Sequence, residues 1–378
     1  MKLVYLSTYN IPTKNALGIQ ITQMCNSFAG QGVEVELIVP KQKKKEKKLF
    51  EYYNMEKSFK VKEIFRFELS KFGKIGFLVQ TILFLLTVKI YLLSKKYDVL
   101  YTREQLAGLF FKGFVYEIHN FPQKITFLHR LIFKRIFKVI AITSFFKKDL
   151  IKNGISSEKI LVSADAADLD KFNINISQEV ARKKLSLPEE RIIIGYVGKY
   201  VTFGKWNKGA DDLIKSFPTI LKYNPEAFLL VVGVGEGNVA KVEKLLNELD
   251  ISNNNYKIIA HLPYEKVIYC LRASDMLVMN YSKSQHHMYY TSPMKMFEYM
   301  ASGRPIIASR LPSVTDVLNE NNAFFIEPDS VESLTNGIKK ALQDKGLADK
   351  IANQAYTDVQ NYTWQKRSQQ ILDFIKKI

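Results

Sequence analysis

The chain has 378 residues, 47% of them hydrophobic and 24% charged, a composition typical of ordered globular proteins that excludes an intrinsically disordered chain. Its length is sufficient for two domains. The formal net charge of +18 is uneven, because residues 1–172 carry +14 and residues 173–378 carry +4. Two cysteines, Cys25 and Cys270, lie far apart in apolar contexts, which predicts buried thiols and indicates neither a disulfide framework nor a zinc site.

The basic first half predicts an acidic partner. An anionic membrane surface, an acidic ligand and nucleic acid all suit such a charge. The lysine-rich segment 41–48 contributes to it, although a solvated loop is an equally good interpretation of that run. The first residues, MKLVYLSTYN, have the pattern of a strand followed by a polar loop and not that of a signal peptide, so we expect a cytoplasmic protein.

Short apolar runs alternate with helical patterns along the whole chain. Six runs precede residue 170, namely KLVYLST, VEVELIVP, DVLYTR, FVYEIHN, VIAITS and KILVSAD. Six more follow it, namely RIIIGYVG, FLLVVGV, YKIIAHL, DMLVMN, RPIIAS and AFFIEP. Runs with little alternation are typical of parallel strands covered on both faces. The sequence therefore predicts an α/β fold with two doubly wound sheets in series.

The polar segment 168–191 has no strand pattern and is the best candidate for a linker. We therefore place a domain boundary after residue 172, with a second domain over 173–363. Ligands of doubly wound folds lie beyond the carboxyl ends of the strands, and with two sheets facing each other this predicts a site in the cleft between the domains.

Two predicted helices have apolar surfaces that suit a membrane. Residues 75–93 approach the length of a membrane span with a single charge, but the loop and strand patterns that follow favour a crossover helix, buried or partly in contact with a membrane. In residues 127–138, apolar and basic side chains segregate at helical spacing. That segment predicts either a surface helix with a basic outer face or a helix that contacts a membrane.

Two residues of the first half are candidates for contact with a ligand. Gly18 lies between the first strand and a helical pattern that runs to Gly30, where a glycine lets the backbone approach a ligand closely. His119 follows the strand FVYEI, at the carboxyl end that faces the predicted cleft. Glu117 faces the same side of that strand, and it either orients or charges the imidazole or pairs elsewhere as an inward polar residue.

The first strand of the second half leads into a loop with two lysines. Gly198 and Lys199 follow the strand, and Lys208 precedes the next helical pattern. Two lysines at that place suit the charges of a diphosphate, with solvated lysines as the alternative. The chain has no Walker A loop, which argues against ATP hydrolysis of that kind. His286 and His287 have no carboxylate cluster near them in the sequence, so we do not interpret them as metal ligands.

A short capped helix is predicted late in the chain. Ser292 suits the N-cap, Pro293 suits the first helical position, and Gly303 suits the exit. Lys295 and Glu298 lie along one side of this helix. A helix N-terminus offers unpaired N–H groups and partial positive charge, and Lys295 adds a full charge, so the predicted guest is a phosphate.

These features resemble the retaining glycosyltransferases of family 4, whose GT-B fold consists of two facing Rossmann-like domains. The likeness runs nearly end to end, through Gly18, His119, the GK and NKG segments, ASDMLVMN, SPMKMFEYMASGRPIIAS and NYTWQKRSQQILDFI. It implies transfer of a sugar from a nucleotide-sugar donor with retention of configuration, without a metal or other cofactor. It also implies an acceptor-binding domain over 1–172, a donor-binding domain over 173–363, and a last helix, 364–378, that packs back on the first domain.

The resemblance assigns roles to single residues. Lys199 and Lys208 are implied to hold the donor diphosphate, and Glu298 to accept hydrogen bonds from the ribose hydroxyls. The backbone at Thr291 and Ser292 is implied to lie against the distal phosphate. The full set of candidate donor-binding residues is Gly18, Lys199, Lys208, Tyr290, Thr291, Ser292, Pro293, Lys295 and Glu298.

The candidate catalytic residues are His119, Lys208 and Glu298. By the resemblance, His119 lies close to the donor sugar and Gly18 approaches the diphosphate through its backbone. Tyr290 stands where the family has the first glutamate of its Glu, seven residues, Glu signature. This departure bears on the identity of the donor more than on the fold or the reaction class.

The predicted function is sugar transfer to a glycan or polyprenyl-linked acceptor in bacterial-type surface polysaccharide or glycoconjugate synthesis. We expect an anionic membrane surface as a further partner, with the protein peripheral on the inner face of the membrane. Nucleic acid is not expected, because the sequence has no recognised nucleic-acid module. Alternatives on the same fold are a sugar-nucleotide epimerase, a phosphorylase, and a degenerate transferase that binds ligand without catalysis.

Overall fold

The computed structural model describes residues 1–13, 15–42, 48–122, 124–172, 176–202 and 206–377. Most of the lysine-rich segment, residues 43–47, and the first residue after the predicted boundary, residue 173, lie outside the described residues. The chain forms two compact units. The first comprises Met1–Ala164 together with Trp364–Ile378, and the second comprises Asp165–Thr363.

The first unit is built on a sheet of seven strands, all paired in parallel. The strands are β1 (Lys2–Leu6), β2 (Glu34–Pro40), β3 (Lys60–Ile64), β4 (Val99–Thr102), β5 (Phe114–Ile118), β6 (Ile136–Ala141) and β7 (Ile160–Val162). Their spatial order is β3-β2-β1-β4-β5-β6-β7, so the chain reverses its direction of winding beside β1. Such a switch point is where ligands bind in open α/β sheets.

Helices connect the strands of the first unit. They are α1 (Ala16–Gly30), α2 (Leu49–Tyr52), α3 (Gly73–Leu93), α4 (Phe127–Phe133) and α5 (Ser144–Lys152). Every residue of β4 and β5 is buried, as expected for parallel strands covered on both faces. The buried thiol of Cys25 lies in α1, where burial raises its pKa well above the usual value.

The second unit contains a sheet of six parallel strands. Its strands are β8 (Ile192–Val197), β11 (Ala227–Val232), β12 (Tyr256–Ile259), β13 (Met276–Met279), β14 (Ile306–Ser309) and β15 (Phe324–Ile326), and a separate antiparallel pair is formed by β9 (Val201–Thr202) and β10 (Trp206–Asn207). The order β12-β11-β8-β13-β14-β15 places the switch point beside β8. The predicted α/β class with two doubly wound sheets is thus confirmed.

The helices of the second unit are α6 (Leu169–Phe172), α7 (Gln178–Lys184), α8 (Ala210–Tyr223), α9 (Val239–Glu248), α10 (Val267–Ala273), α11 (Gln285–Tyr289), α12 (Met294–Ser302), α13 (Val331–Gln343) and α14 (Lys345–Asp358). The last helix of the chain, α15 (Trp364–Lys376), belongs to the first unit and packs on α1. Among the described residues, α12 stands out because every one of its side chains is buried.

The structure corrects three expectations about element boundaries. The polar segment 168–191 is not a linker, because it contains α6 and α7, and the break between the units precedes it at Ala164. Arg182 anchors this segment in the second unit through an ion pair of 2.6 Å with Asp275. The helix predicted over 127–138 ends at Phe133, and its last residues begin β6.

Candidate functional site

The candidate site of the second unit lies at the switch point of its sheet. Gly198 and Lys199 follow the carboxyl end of β8, and Tyr281 follows β13, the strand paired with β8. The helix α12 is fixed beside them by Tyr299, whose hydroxyl donates to the Val197 carbonyl at 2.8 Å and accepts from the Val197 N–H at 2.9 Å. The loops after two neighbouring strands and one buried helix therefore meet at one edge of the sheet.

Lys295 is the most unusual side chain of this site. It lies one turn before Tyr299 on α12, is 7% exposed, and its Nζ has no hydrogen-bond partner among the described residues. The ammonium lies 4.4 Å from the ring centre of Tyr196 and 4.6 Å from that of Tyr281. Burial, and next the charge of Lys208, hold the pKa of Lys295 well below its usual value, although Glu298 acts in the opposite direction.

A glycine makes room for this lysine. A methyl group at Gly198 would lie 3.1 Å from Cδ of Lys295, which is tighter than an ordinary contact between carbon atoms. Gly198, which precedes the predicted diphosphate-binding Lys199, is thus small because the stem of Lys295 passes beside it. The sequence pattern alone predicts for Gly198 only a place in a loop.

Lys208 adds a second ammonium at the start of α8. It is half-buried, and its Nζ lies 5.9 Å from the ring centre of Tyr281. Burial and the nearby charge of Lys199 lower the pKa of Lys208 to about 8. The helix that follows has Gly209 as its N-cap and carries Asp211 and Asp212 in its first turn. Lys208 therefore places a second positive charge near the ring of Tyr281.

Glu298 is the acidic member of the cluster. It is 8% exposed on α12, and burial raises its pKa to about 7. A hydrogen bond with Tyr264 and the charges of Lys295 and Lys171 oppose that rise. Glu298 is therefore a carboxyl group whose charge changes near neutral pH, in a wall of otherwise basic and aromatic side chains.

The start of α12 differs from the prediction. Ser292 is not the N-cap and Pro293 is not the first helical residue, because the helix begins at Met294 and Pro293 occupies the cap position with extended backbone. The Ser292 hydroxyl is engaged elsewhere, since it accepts a hydrogen bond of 2.9 Å from the N–H of Asp165. Gly303 ends the helix in the left-handed conformation, with φ of +65°, as predicted.

The residues before α12 form a short turn. Tyr290 caps the end of α11, its N–H donates to the His286 carbonyl at 2.9 Å, and its ring meets that of Tyr289 edge to face. Thr291 and Ser292 lie between the two helices, outside the first turn of α12. The predicted role of helix-end N–H groups therefore passes from Thr291 and Ser292 to the residues that follow Pro293.

Sequence reasoning missed three tyrosines that shape the site. Tyr196 and Tyr281 enclose the Lys295 ammonium, and Tyr264 bonds Glu298. A signal existed for the first two, because Tyr196 lies near the end of a strand and Tyr281 just after one, where ligand-facing residues of this fold concentrate. Tyr264 precedes α10 in a polar segment, and its sequence context carries no such signal.

The other predicted residues, Gly18 and His119, belong to the first unit. Gly18 lies inside the first turn of α1 and not before it, and a side chain there would overlap the Tyr53 hydroxyl and Thr13. Close packing of the β1–α1 loop thus accounts for this glycine. His119 follows β5, and its Nε2 lies 2.5 Å from Oε1 of Glu117, so the two side chains share a face as predicted.

The comparisons with known proteins agree with this architecture. Residues 177–358, just under half of the chain, match the family described as glycosyl transferases group 1. An uncharacterized glycosyltransferase of Methanocaldococcus jannaschii is 23% identical over 257 residues, which are 65% of this chain and 61% of that relative. The chain thus spans about three fifths of the length of this curated relative.

Two solved structures show the fold. Sucrose-phosphate synthase from Thermosynechococcus elongatus has a TM-score of 0.79 at 18% identity, over 100% of this chain and 98% of that one. HepE of Anabaena, solved in complex with UDP and glucose, has a TM-score of 0.75 at 17% identity over 100% of both chains. The chain therefore has the GT-B fold. The second unit thus resembles the glycosyl transferases group 1, and the solved structures show the fold of the whole chain.

Proposed function

We propose that the protein is a retaining, metal-independent transferase, of the family 4 type, that moves a sugar from a nucleoside-diphosphate sugar to a glycan or lipid-linked acceptor. The observation that carries this proposal is Lys295, a buried ammonium group without a hydrogen-bond partner in the described part of the chain. A buried, unpaired cation is costly unless a ligand supplies the negative charge. Lys208 provides a second positive charge nearby, and two ammonium groups suit the charges of two phosphates.

The chemistry asked of such a site is stabilisation of a leaving diphosphate. As the bond between the anomeric carbon and the phosphate oxygen breaks, negative charge grows on the phosphate, and preorganised ammonium groups stabilise it without rearranging. In the proposed reaction the acceptor hydroxyl attacks from the face that the phosphate leaves, and a phosphate oxygen takes the hydroxyl proton. No protein nucleophile is required. Glu298 would accept hydrogen bonds from the ribose hydroxyls of the donor.

Binding of the leaving group is the first test. UDP, which a structural neighbour binds, should raise the melting temperature, as should the correct sugar nucleotide, because a ligand of the folded state stabilises it by mass action. Lys295→Met should abolish this shift while keeping the apolar stem. Lys244→Met, which removes a lysine exposed on α9, is the matched control and should leave the shift unchanged. Equal shifts in both variants would contradict the proposed site.

Transfer itself is measured with a sugar nucleotide that passes the binding screen. Lys208→Ala and Glu298→Ala should each lower kcat/KM at least about tenfold, the scale of one lost charged contact. Activity should persist in EDTA, and the product should keep the anomeric configuration of the donor. Conversion of the donor without an acceptor would indicate an epimerase, release of sugar phosphate a phosphorylase, and binding without turnover a degenerate transferase.

We also propose that the first unit docks on an anionic membrane surface, which would bring the enzyme to a lipid-linked acceptor. The helix α3 is rich in apolar residues along its length, yet only one face of it packs in the unit. The opposite face is exposed, with Ile75 78% exposed, Ile90 62% exposed and Leu93 77% exposed. Exposed lysines lie at both ends of the helix: Lys71, Lys74, Lys89, Lys95 and Lys96.

This pattern suits a helix that lies in the interface of a bilayer. By length and composition, Ser70–Leu93 is the one helix of the described residues that could also cross a membrane, with a mean hydropathy of 2.0 in its most apolar part. Its packed face, Gly76, Gln80, Phe84 and Val88 among others, argues for a helix that is held in the fold and touches lipid on one side.

Vesicle sedimentation tests the proposed contact between α3 and an anionic membrane. The protein should bind vesicles of phosphatidylglycerol and phosphatidylcholine and bind pure phosphatidylcholine less. The double variant Ile75→Gln/Ile90→Gln should bind anionic vesicles at least about tenfold more weakly, because about 2 kcal/mol of apolar transfer is lost for each buried isoleucine. Val180→Gln, which changes an exposed apolar residue of α7, should bind like the wild type. Equal binding by all three proteins would contradict the proposed surface.

A further inference from the structure

Four side chains bond the carboxylate of Glu117, which is fully buried on β5. Arg367 Nη1 donates to Oε2 at 3.2 Å, and the Tyr101 hydroxyl donates to the same oxygen. Gln20 Nε2 lies 3.5 Å from Oε1, and His119 Nε2 lies 2.5 Å from Oε1. The residues come from four places in the first unit: α15, β4, α1 and the end of β5.

The surrounding contacts fix which atom of each partner faces Glu117. Arg103 donates to Oε1 of Gln20, which leaves the amide N–H group of Gln20 to face the carboxylate. Arg367 is 4% exposed, and its Nε donates to the Ala164 carbonyl at 2.8 Å, which holds the guanidinium in place. Arg367, Tyr101 and Gln20 are therefore donors toward Glu117.

Several donors that point at one carboxyl group require Glu117 to be ionised, because a carboxylate only accepts hydrogen bonds. Arginine does not lose its proton in proteins, and burial followed by the charge of Glu117 keeps the pKa of Tyr101 well above its usual value, so both are protonated. Burial alone would raise the pKa of Glu117, but Arg367, His119 and Arg103 outweigh burial and hold that pKa well below its usual value. With Glu117 as a carboxylate, the proton of the 2.5 Å hydrogen bond lies on His119 Nε2.

We infer that Glu117 and Arg367 are positioning residues for His119. Glu117 holds the imidazole in the Nε2–H tautomer, and Arg367, from the last helix, keeps Glu117 an acceptor. The inference rests on the proposed transferase function for its catalytic meaning, since the resemblance implies that His119 lies close to the donor sugar. The tautomer itself does not depend on that function.

This arrangement gives His119 a defined chemistry. With Nε2–H committed to Glu117, the Nδ1 lone pair is left to accept a hydrogen bond from a sugar hydroxyl. Burial, and next the charge of Arg103, lower the pKa of His119 to about 3, so the ring is neutral at physiological pH. Tyr5 on β1 also faces Glu117 and, like Tyr101, stays protonated because burial raises its pKa.

The nitrogen chemical shifts of His119 report the tautomer directly. In protein with ¹⁵N-labelled histidine, His119→Gln identifies its signals among those of the five histidines. The wild type should show the Nε2–H form from pH 5 to 8. Arg367→Met removes the largest charge that keeps Glu117 ionised, so at pH 7 the pair should take up a proton and His119 should lose the neutral Nε2–H form. An unchanged neutral Nε2–H spectrum in Arg367→Met would overturn the inference.

Loss of the buried Arg367 also destabilises the fold. Two further variants therefore distinguish an effect on His119 from a general loss of stability. Tyr101→Phe removes one donor to Glu117 with little change of volume and should move the acid limb of kcat/KM to higher pH, with kcat falling more than donor KM changes. Arg182→Met breaks the ion pair between buried Arg182 and half-buried Asp275 in the second unit and should lower the melting temperature without moving the pH profile. Equal pH profiles in Tyr101→Phe and Arg182→Met would count against the inference.

The two proposals fail in different ways. A wild-type protein that transfers no sugar from any nucleotide donor would contradict the proposed function, while the tautomer measurement would still decide whether Glu117 and Arg367 hold His119. Active enzyme with a freely exchanging His119 tautomer would retain the function and remove the positioning role.

Discussion

Burial sets the charges of the candidate donor site, residue by residue. Lys208 and Lys295 have lowered pKa values and Glu298 has a raised one, chiefly because each group has left water. All three pKa shifts disfavour the charged form of the side chain. Without a ligand, the site therefore stabilises the charges of these three groups poorly. A bound donor would reverse these effects. The phosphates would stabilise the charged, ammonium form of the lysines, and the ribose hydroxyls would donate to Glu298 and stabilise its carboxylate form.

Binding of a diphosphate should therefore take up protons. Because the pKa of Lys208 is lowered to about 8 in the free protein and phosphate favours its charged form, affinity for UDP should fall as pH rises above 8, by up to about tenfold per pH unit. Calorimetry at pH 8 in buffers of different ionisation enthalpy measures the uptake. Lys208→Arg, whose charge does not titrate there, should take up fewer protons. Identical uptake in the two proteins would show that Lys208 does not contact the phosphates.

Glu298 should lower the stability of the free protein at alkaline pH. Its pKa is raised from 4.5 to about 7 by burial, so its stabilising contribution is complete below pH 4.5 and is lost as pH rises through about 7. Glu298→Gln should then raise the free energy of unfolding at pH 8 by about 1–3 kcal/mol, while weakening donor binding. Urea denaturation at pH 5 and pH 8 measures this. Glu179→Gln, at an exposed position of α7, should change little, and a destabilised Glu298→Gln at pH 8 would contradict the prediction.

At the scale of elements, the sequence predicted the twelve apolar strands because parallel strands buried on both faces leave uninterrupted runs. The strand β3, KVKEI, was not predicted, because it lies at the edge of its sheet, where alternate polar residues face outward. The start of α12 was placed too early because the contact that engages Ser292 comes from Asp165, far away in the chain. Local cap patterns carry no information about such partners.

The candidate sites, too, could be predicted from the sequence only in part. Lys199, Lys208 and Lys295 were predicted from the sequence because each lies at or near a strand or helix end of the second unit, and Glu298, in the middle of α12, was predicted from the resemblance. The role of Arg367 was not, because its partner is Glu117 on β5, and only the folded first unit brings α15 to that strand. Contacts of such long range follow from topology and not from spacing.

The junction between β10 and α8 depends on one glycine. Gly209 has a φ of +93°, which strains any residue with a side chain, and a methyl group there would overlap the Asn280 carbonyl oxygen. Gly209→Ala should therefore lower the free energy of unfolding by about 2–4 kcal/mol and weaken UDP binding, since Lys208 precedes it. Gly237→Ala, at a position with open space around it, should stay within about 0.5 kcal/mol of the wild type. Urea denaturation compares them, and equal stabilities would contradict this account.

At the scale of the whole molecule, the positive charge is distributed differently in the two parts of the chain. Residues 1–172 carry +14 and include an exposed apolar helix face, whereas residues 173–378 carry +4, with Lys295 buried and Lys208 half-buried in the candidate donor site. The first distribution suits a diffuse anionic surface, and the second suits one compact anion. Salt should distinguish them, because screening acts on exposed charges far more than on buried ones.

Vesicle binding and donor binding should thus respond differently to ionic strength. Between 0.1 M and 1 M NaCl the screening length falls from about 10 Å to 3 Å. Sedimentation with anionic vesicles should weaken strongly over that range, leaving the apolar contribution of α3. The melting-temperature shift caused by UDP should change less. Salt-resistant vesicle binding would indicate an apolar contact alone, and a salt-sensitive UDP shift would place the phosphates at the surface.

The position of α15 has a consequence for biosynthesis. A ribosome completes β5, with Glu117, long before it reaches Arg367, and the whole second unit is translated in between. Until then the nascent first unit would have to bury a carboxylate without its main counter-charge, a cost of about 3–5 kcal/mol. We therefore expect the half of the protein that is made first to be the last to acquire its native packing, and a fragment of residues 1–164 to stay protease-sensitive until a peptide containing α15 is supplied.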